Sequence, residues 1–589
     1  MAGPPIVRDP QGVAEFLASV SHAPFLAVDT ETSGLDPHDD RLLLIQVGTA
    51  TEQCLIDANA VDAAAIQPIF QPDRTVVLHN ASFDLKMLWG HYGPELNLAH
   101  ARVADTLQNE KLLLSGRKSS VVMQGFGLKQ LAERYAGMEL DKSIRQGFYG
   151  IQTLDDLSEA ELYYALRDVE ATWKVFAKQL PELSKGGLMR VAGIEGAACA
   201  SFAQLELHGA PLDAEAWKAR IEAAKEGSAR ARKALDVEFG PVADKDLFGG
   251  TTINYDSDEE VLDALKKLGV HVAGVRKDIL AATGHTAALR IAEYREHQRI
   301  VSTYGESFLA HLHPSTRRLH PNFRAIGATT GRASCAEPNL QSIPAGSEFR
   351  DCFRAPEGRS LITADYEGAE LRILAQVSGD PVFLHTLLDG GDLHSIVASR
   401  LFNQTVSKEE NAHLRARAKA INFGLAYGMG PAGLADQVGI TEHEAGEMLE
   451  RYFQVFPRIR HYLDEAAHIA LRNGFARTEA GRTFWFTDMR NENRPPHALA
   501  RVAKNMPIQG TNADIVKLAM ARITTALMES SVDAFLVNMV HDEIVVEAAS
   551  DDAEAAREIV IREMMSAGAE FVRRVPMTVD AQIGKTWLK

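Results

Sequence analysis

The sequence predicts a multidomain globular protein of mixed α/β and α+β class, and three observations carry that expectation. The chain has 589 residues, a length that accommodates about four domain-sized units. Hydrophobic residues make up 46% of it, enough to build sizeable cores. Short apolar runs of strand character alternate with long stretches of helical period. No segment approaches the ~18 uninterrupted apolar residues of a membrane span, and the start MAGPPIV lacks the basic and apolar regions of a signal peptide. Cys54, Cys199, Cys335 and Cys352 show no CxxC or CxH spacing, so they read as buried thiols of a reducing cytoplasm.

In the first 185 residues, AVDTETSGLDP reads as a strand with Asp29 and Glu31 two apart and therefore on one face. LHNASFDLKML supplies Asp84 just after Asn80. The helical stretch ELYYALRDVEATWKVF carries Tyr164 and Asp168 four apart, again on one face. Taken singly, such acids are as readily solvated side chains. PELSKGG at residues 181 to 187 reads as a linker. INYDSDEEVLDALKKLGV and the helical stretch before STYGES come after it.

Asp365 in ITADYEGAELR and Asp542 in VNMVHDEIVVE each lie on an apolar stretch that reads as a β-strand. Two strand-borne carboxylates converging on one point make a site for a hard divalent cation, and two ions about 4 Å apart would stabilise both oxygens of a phosphoryl displacement. Solvated strand ends remain the alternative. Between them, LRARAKAINFGLAYGMG repeats Arg415, Lys419, Phe423 and Tyr427 at every fourth position, one stripe on a helix. The cations suit a triphosphate, and the rings suit stacking on a base or sugar, a contact worth about 1–3 kcal/mol per base. An amphipathic helix with the two rings in the core is the other reading. Gly424 and Gly428 count against it, since glycine inside a helix costs up to about 1 kcal/mol relative to alanine and marks close approach or a helix end. In RVAKNMPIQGTNADIVKLAM, Arg501, Asn505 and Gln509 recur four apart at a helix start, with Pro507 expected to put Gln509 past a kink.

DYEGAELR, RARAKAINFGLAYG and VHDE resemble, in order, the three polymerase motifs of family A DNA polymerases, and ATTGRASCAEPNLQSIP resembles the family's signature upstream of the first. The resemblance runs through residues 188 to 589. It implies that Asp365 and Asp542 hold metal ions with help from the Tyr366 carbonyl. Arg415, Lys419 and His394 (in GDLHS) would grip the triphosphate, and Phe423 would pack on the incoming sugar. Tyr427 would sit where template and new pair meet, and Glu370 would fill the space of a ribose 2′-hydroxyl. Arg332 would read the minor-groove edge near the primer terminus, and Arg501, Asn505 and Gln509 would touch primer and template. His541 joins the DNA-contacting set and Glu543 the catalytic one. The family usually has Ser, Gln and Ile after Asp-Tyr, whereas this chain has Glu367, Gly368 and Ala369, which puts rigidity behind Glu370, and so sugar selectivity and fidelity, in question. The constellation of the first 185 residues resembles the DEDDy 3′ to 5′ exonuclease domain of the same family. Asp29, Glu31, Asp84 and Asp168 would ligate metal there, and Tyr164 would orient the attacking water.

The resemblance implies an RNase H-like exonuclease domain at 1–185 and a right-hand polymerase domain at 188–589. Its thumb is expected at about 215–310, its palm at 311–380 and 499–589, and its fingers at 381–498. Template-directed DNA synthesis from dNTPs on primer-template DNA is expected, with proofreading and two Mg²⁺ (or Mn²⁺) ions at each site. The alternatives are an exonuclease whose C-terminal region only clamps DNA, and an enzyme with substantial reverse transcriptase activity. A monomer in the cytoplasm, or in the host cytoplasm beside replisome proteins if the gene is a phage's, is the expected setting. Nothing in the sequence corresponds to a 5′ nuclease, so a short natural polymerase or a fragment is expected. The net charge of −17 is not that of a DNA-binding surface. The footprint is therefore expected to be local, with Arg317, Arg318, Arg324, Arg332, Arg350 and Arg354 clustered before the first polymerase motif.

Overall fold

The computed structural model describes residues 4–588 except 118–124, 152, 245–250, 347 and 427. Its N-terminal part is built on a six-stranded sheet of β1 (Ile6–Val7), β2 (Phe25–Thr32), β3 (Leu42–Gly48), β4 (Gln53–Asp57), β5 (Thr75–Leu78) and β6 (Arg102–Asp105), in the order β1-β4-β3-β2-β5-β6. β3 is antiparallel to both neighbours, while β2, β5 and β6 run parallel. The strands are apolar runs because helices cover the sheet. Helix Ala81–Tyr92 packs on one part of it, and helix Glu159–Lys185 lies across β2, β3 and β4. The latter starts at a reciprocal cap between Ser158 and Glu161, the arrangement that satisfies two orphan backbone donors at once. It continues to Lys185 with Pro181 inside. The expected linker is therefore helical up to Lys185, and the chain turns only through Gly186, Gly187 and Leu188 before helix Met189–His208 begins.

That second helix is shared. Cys199, Ala200, Ala203 and Leu207 join the core of the N-terminal sheet, while Val191, Ile194, Ala198, Phe202 and Leu205 join the large core of the C-terminal part. Helices Ala214–Phe239 and Thr286–Tyr304 then pair along their length and, with the shorter Asp258–Lys267 and Lys277–Ala282, enclose a core of their own. This is the region expected as thumb.

The region expected as palm carries a four-stranded antiparallel sheet in the order Ala534–Val540, Glu543–Ala549, Arg359–Tyr366, Val579–Gly584. Helices Pro496–Glu529 and Ala553–Ala569 pack together beside it. Pro507 lies inside the 34-residue helix Pro496–Glu529 without ending it, and Gln509 follows on the same helix. Proline removes one hydrogen bond, to the carbonyl four residues back, and the buried side chains of Ala503, Met506 and Ile508 keep both halves packed. Between the two parts of the palm, the region expected as fingers contains helices Leu393–Phe402, Ala412–Ala426, Glu442–Val455 and Pro457–Asn473. No helix among the described residues is long and apolar enough to cross a membrane.

Candidate active sites

Alternation along β2 puts Asp29 and Glu31 on the same face, and helix Glu159–Lys185 presents Tyr164 and Asp168 to it. Carboxylate oxygens of Asp29, Glu31 and Asp168 lie within 4.8 Å of one another. Asp84, in the first turn of helix Ala81–Tyr92, stands behind them and accepts a hydrogen bond from Thr30 Oγ1 at 2.7 Å. Burial and the nearby Asp168 push the Asp29 carboxyl up to about 7, and Glu31 and Asp84 are raised by burial and by Asp29. Asp168 Oδ1 is buried without a hydrogen-bond partner. An oxygen-only donor set, crowded and largely buried, whose acids are raised despite Lys142 and Arg145 nearby, fits a hard divalent cation. The site opens into a cleft of about 1030 Å³, whose walls include Lys111, Lys129, Lys142 and Arg145, with Arg324, Ile326 and Gly327 contributed from beyond helix Met189–His208. Lys142 bonds both Tyr164 and Asp168, and no local pattern in the sequence marks it.

The second site sits on the four-stranded antiparallel sheet. Asp365 lies one residue before the end of its strand, directly opposite Glu543. Asp542 is not on a strand, as its apolar flanks suggested. With His541 it makes the two-residue turn of the hairpin between Ala534–Val540 and Glu543–Ala549. His541 has a φ of 59°, the left-handed value such tight turns require, here supplied without an Asn-Gly signature. Burial, Asp365 and Glu370 push the Asp542 carboxyl up to about 7. Asp542, in the turn, is thus near enough to Asp365 on its strand and Glu370 on its helix to feel both charges. Carboxylate oxygens of this kind suit a hard divalent ion. Burial and Arg332 lower the His541 imidazole, and the buried Tyr366 side chain donates to the Met564 carbonyl at 2.6 Å.

Glu370 is buried in the first turn of helix Ala369–Ser378 and accepts a 2.6 Å charge-assisted bond from Arg332. Gly368 begins that helix at φ 65°, a conformation glycine adopts at little cost, and Ala369 is packed in the core. The departure from the family's usual residues is therefore accommodated. Glu543 is braced elsewhere: Arg350 donates to both its oxygens at 3.1 and 3.0 Å, the Trp587 indole donates to Oε1 at 2.7 Å, and the Arg350 guanidinium stacks 4.1 Å from the Trp587 ring. Burial raises the Glu543 carboxyl against these contacts. Neither Arg350 nor Trp587 is recognisable from its sequence surroundings.

The cationic stripe is a helix. Arg415, Lys419 and Phe423 lie one turn apart on Ala412–Ala426, and Tyr427 lies outside the described residues. Arg415 bonds Asp392 through Nε (2.6 Å) and Nη2 (3.1 Å). Burial would raise the Asp392 carboxyl, but Arg415 and Ser395 hold it down at about 2. The His394 ring meets Asn422 at 3.1 Å, and burial lowers it to about 4. Gly428, just past the helix, has a φ of 64°, and a Cβ there would meet the Arg501 carbonyl at 2.9 Å, the close approach its position suggested. Asn505 donates to Gln509 at 3.0 Å on helix Pro496–Glu529, which also carries Arg501. Of the six clustered arginines, Arg318 pairs with Glu547 at 2.6 Å and Arg350 with Glu543, so part of the expected DNA footprint is internal.

Comparison with known proteins matches residues 246–589 to the model of DNA polymerase family A and residues 4–184 to that of a 3′-5′ exonuclease. DNA polymerase I of Aquifex aeolicus is 29% identical over 615 residues, 99% of each chain. That of Pseudomonas aeruginosa is 30% identical over 614 residues, 99% of this chain and 65% of its own length. The chain spans about 60% of the length of DNA polymerase I from Rhizobium leguminosarum. The POL domain of Pol1 from M. smegmatis, in complex with DNA primer-template and dNTP, aligns with a TM-score of 0.80 at 26% identity, covering 99% of both chains. Two acidic sites on two cores, each within its own matched segment, make this chain a member of DNA polymerase family A with a 3′-5′ exonuclease domain ahead of its polymerase region.

Proposed function

We propose that the chain extends a DNA primer on a DNA template with dNTPs at the Asp365–Asp542 site and removes 3′-terminal nucleotides at the Asp29–Glu31–Asp168 site. The observation that carries this reading is two acidic groupings on separate sheets, Asp29–Glu31–Asp168 and Asp365–Asp542, with no shared residue. Asp365, Asp542 and the Tyr366 carbonyl would hold two Mg²⁺, or Mn²⁺, at the first site, and Asp29, Glu31, Asp84 and Asp168 two at the second. Bound divalent ions supply Lewis acidity and charge compensation to phosphoryl oxygens.

The protein's own groups do the positioning. A guanidinium has five N–H donors, so Arg415, oriented by Asp392, keeps others for a triphosphate beside Lys419 and the His394 ring. Phe423, one turn beyond Lys419, would meet the sugar, with Tyr427 beside the nascent pair. Glu370, pinned by Arg332, fills the space of a 2′-hydroxyl. Arg332, His541, Arg501, Asn505 and Gln509 would follow the minor groove, whose degenerate pattern suits an enzyme that accepts every sequence. Glu543 supports the turn from below through Arg350 and Trp587. In the exonuclease cleft, Tyr164 would orient the attacking water. The domain limits 1–185 and 188–589, with palm, fingers and thumb as expected from the sequence, complete the reading. So do a monomeric state, a cytoplasmic setting, and replisome partners where the gene belongs to a phage.

The test is a pair of variants of the full chain, assayed with Mg²⁺. Asp542→Ala should remove primer extension and spare release of 3′ nucleotides, whereas Asp29→Ala with Glu31→Ala should do the reverse. An Asp542→Ala enzyme that still extends primers, or collapse of both activities in either variant, would overturn the assignment.

A further inference from the structure

Lys142 sits at the floor of the exonuclease cleft in a role that the matched motifs do not supply. Its ammonium donates to the Tyr164 hydroxyl oxygen at 2.9 Å and to Asp168 Oδ2 at 2.6 Å, and it lies 5.1 Å from the centroid of the Tyr164 ring. An ammonium has donors and no acceptor. The phenolic oxygen must therefore accept, and its hydrogen points away from the lysine. The bland reading is a surface lysine resting on the nearest acid, a contact worth little.

Three features count against it. Both partners are buried, the Asp168 side chain at 5% exposure. The segment carrying Lys142 is anchored on either side: Leu140 packs with Leu131 and Val175, and Phe148 packs with Leu44 and Tyr164. The turn itself is fixed by Asp141, which accepts from the Ser143 N–H at 3.0 Å and from its hydroxyl at 2.6 Å. Lys142 is thus held over the acidic cluster by the fold and does not merely drift against it.

The geometry points to Lys142 as a positioning residue for removal of the 3′-terminal nucleotide: its ammonium holds the Tyr164 hydroxyl and the Asp168 carboxylate at a fixed spacing. By engaging Oδ2 it leaves Oδ1, buried and without a hydrogen-bond partner, for an ion. By donating to the phenolic oxygen it leaves the phenolic hydrogen to be given on the acidic side, where Asp168 is within hydrogen-bonding reach of the hydroxyl. This inference rests on the exonuclease reading of the cleft.

The experiment measures release of 3′ nucleotides from a single-stranded oligonucleotide by the full chain, over a range of Mg²⁺, for wild type, Lys142→Met and Lys142→Arg. Removing a group that orients a metal ligand commonly costs about 10- to 100-fold in activity. Lys142→Met should lower kcat by that factor at saturating Mg²⁺ with KM for DNA changed less than about threefold, and Lys142→Arg should recover most of the loss. Primer extension by the same preparations should be unchanged, which separates the effect from misfolding. A Lys142→Met enzyme with wild-type kcat at saturating Mg²⁺, with or without a lower Mg²⁺ requirement, would mean that the lysine only stands in for an ion, and would overturn the proposal. An arginine variant no better than the methionine one would overturn it too. A wild type without exonuclease activity would instead remove the underlying reading.

Discussion

Arg332 and Glu370 meet across 38 residues of sequence in a 2.6 Å bond. Glu370 is buried and held, and on the proposed reading it would present a fixed wall to the incoming sugar. Glu370→Ala should therefore raise ribonucleotide use relative to deoxynucleotides by about 10- to 200-fold, the range for reshaping a pocket by a small group, read as the ratio of kcat/KM values. Arg332→Ala should relax the same ratio in the same direction but by less, because the wall remains and only its brace is gone. An unchanged ratio in Glu370→Ala would move the sugar screen to another residue. At this scale the sequence was informative where chemistry sits in a local pattern: Asp29 with Glu31 on one strand, Tyr164 with Asp168 on one helix, Arg415 with Lys419 on another. It was silent on Lys142 and Trp587, and it placed Arg350 in the DNA footprint instead of beside Glu543. Each of these acts on a partner tens to hundreds of residues away, and no spacing rule connects a lysine in a turn to a tyrosine on a later helix.

The elements behave similarly. The hairpin that carries Asp542 is stabilised from a distance, by Arg350 and by Trp587 near the chain end, both bonded to Glu543. Removing one partner of a buried pair leaves a stranded charge and costs about 3–5 kcal/mol. Arg350→Met should lower the unfolding free energy by that amount and weaken extension, while Trp587→Phe, losing one hydrogen bond to a charged group, should cost about 1.5–3 kcal/mol. Denaturant unfolding followed by fluorescence checks both, and a Trp587→Phe protein as stable as wild type would show that Glu543 does not depend on the indole. The same logic applies to Arg482, fully buried between Glu195 of helix Met189–His208 and Asp514 of helix Pro496–Glu529. The sequence misread two element details. The linker at 181–185 continues a helix whose apolar face is already docked. Asp542 turns a corner without Asn-Gly, with His541 at φ 59° supplying the left-handed residue.

For the whole molecule, the two acidic sites impose a joint dependence on pH and metal. Asp29 and Asp542 are each pushed up to about 7 by burial and neighbouring carboxylates, well above an ordinary aspartate. The folded state then binds more protons than the unfolded one between about pH 4 and 7. Stability without metal should therefore fall as pH rises through that window and level off above it. Divalent ions bind the deprotonated sites of the folded state and stabilise it by mass action, so 10-fold increments of Mg²⁺ should raise Tm more at pH 8 than at pH 5. An equal rise at both pH values would contradict the assignment of these acids as ligands. The order of an exonuclease domain followed by a polymerase domain was legible because each carries its own set of local motifs. The sharing of helix Met189–His208 was not, because a helix that is apolar on two faces looks in sequence like any buried helix. That helix also bears on how such a protein can change over generations. Deleting the first 185 residues would uncover Cys199, Ala200, Ala203 and Leu207, a sticky stripe that invites aggregation. Replacing Asp29 or Asp168 would silence the same activity and leave the stripe covered. On the proposed reading, loss of 3′-nucleotide removal by point substitution should therefore cost this protein less solubility than loss by excision, a difference that sedimentation of the two variants would show.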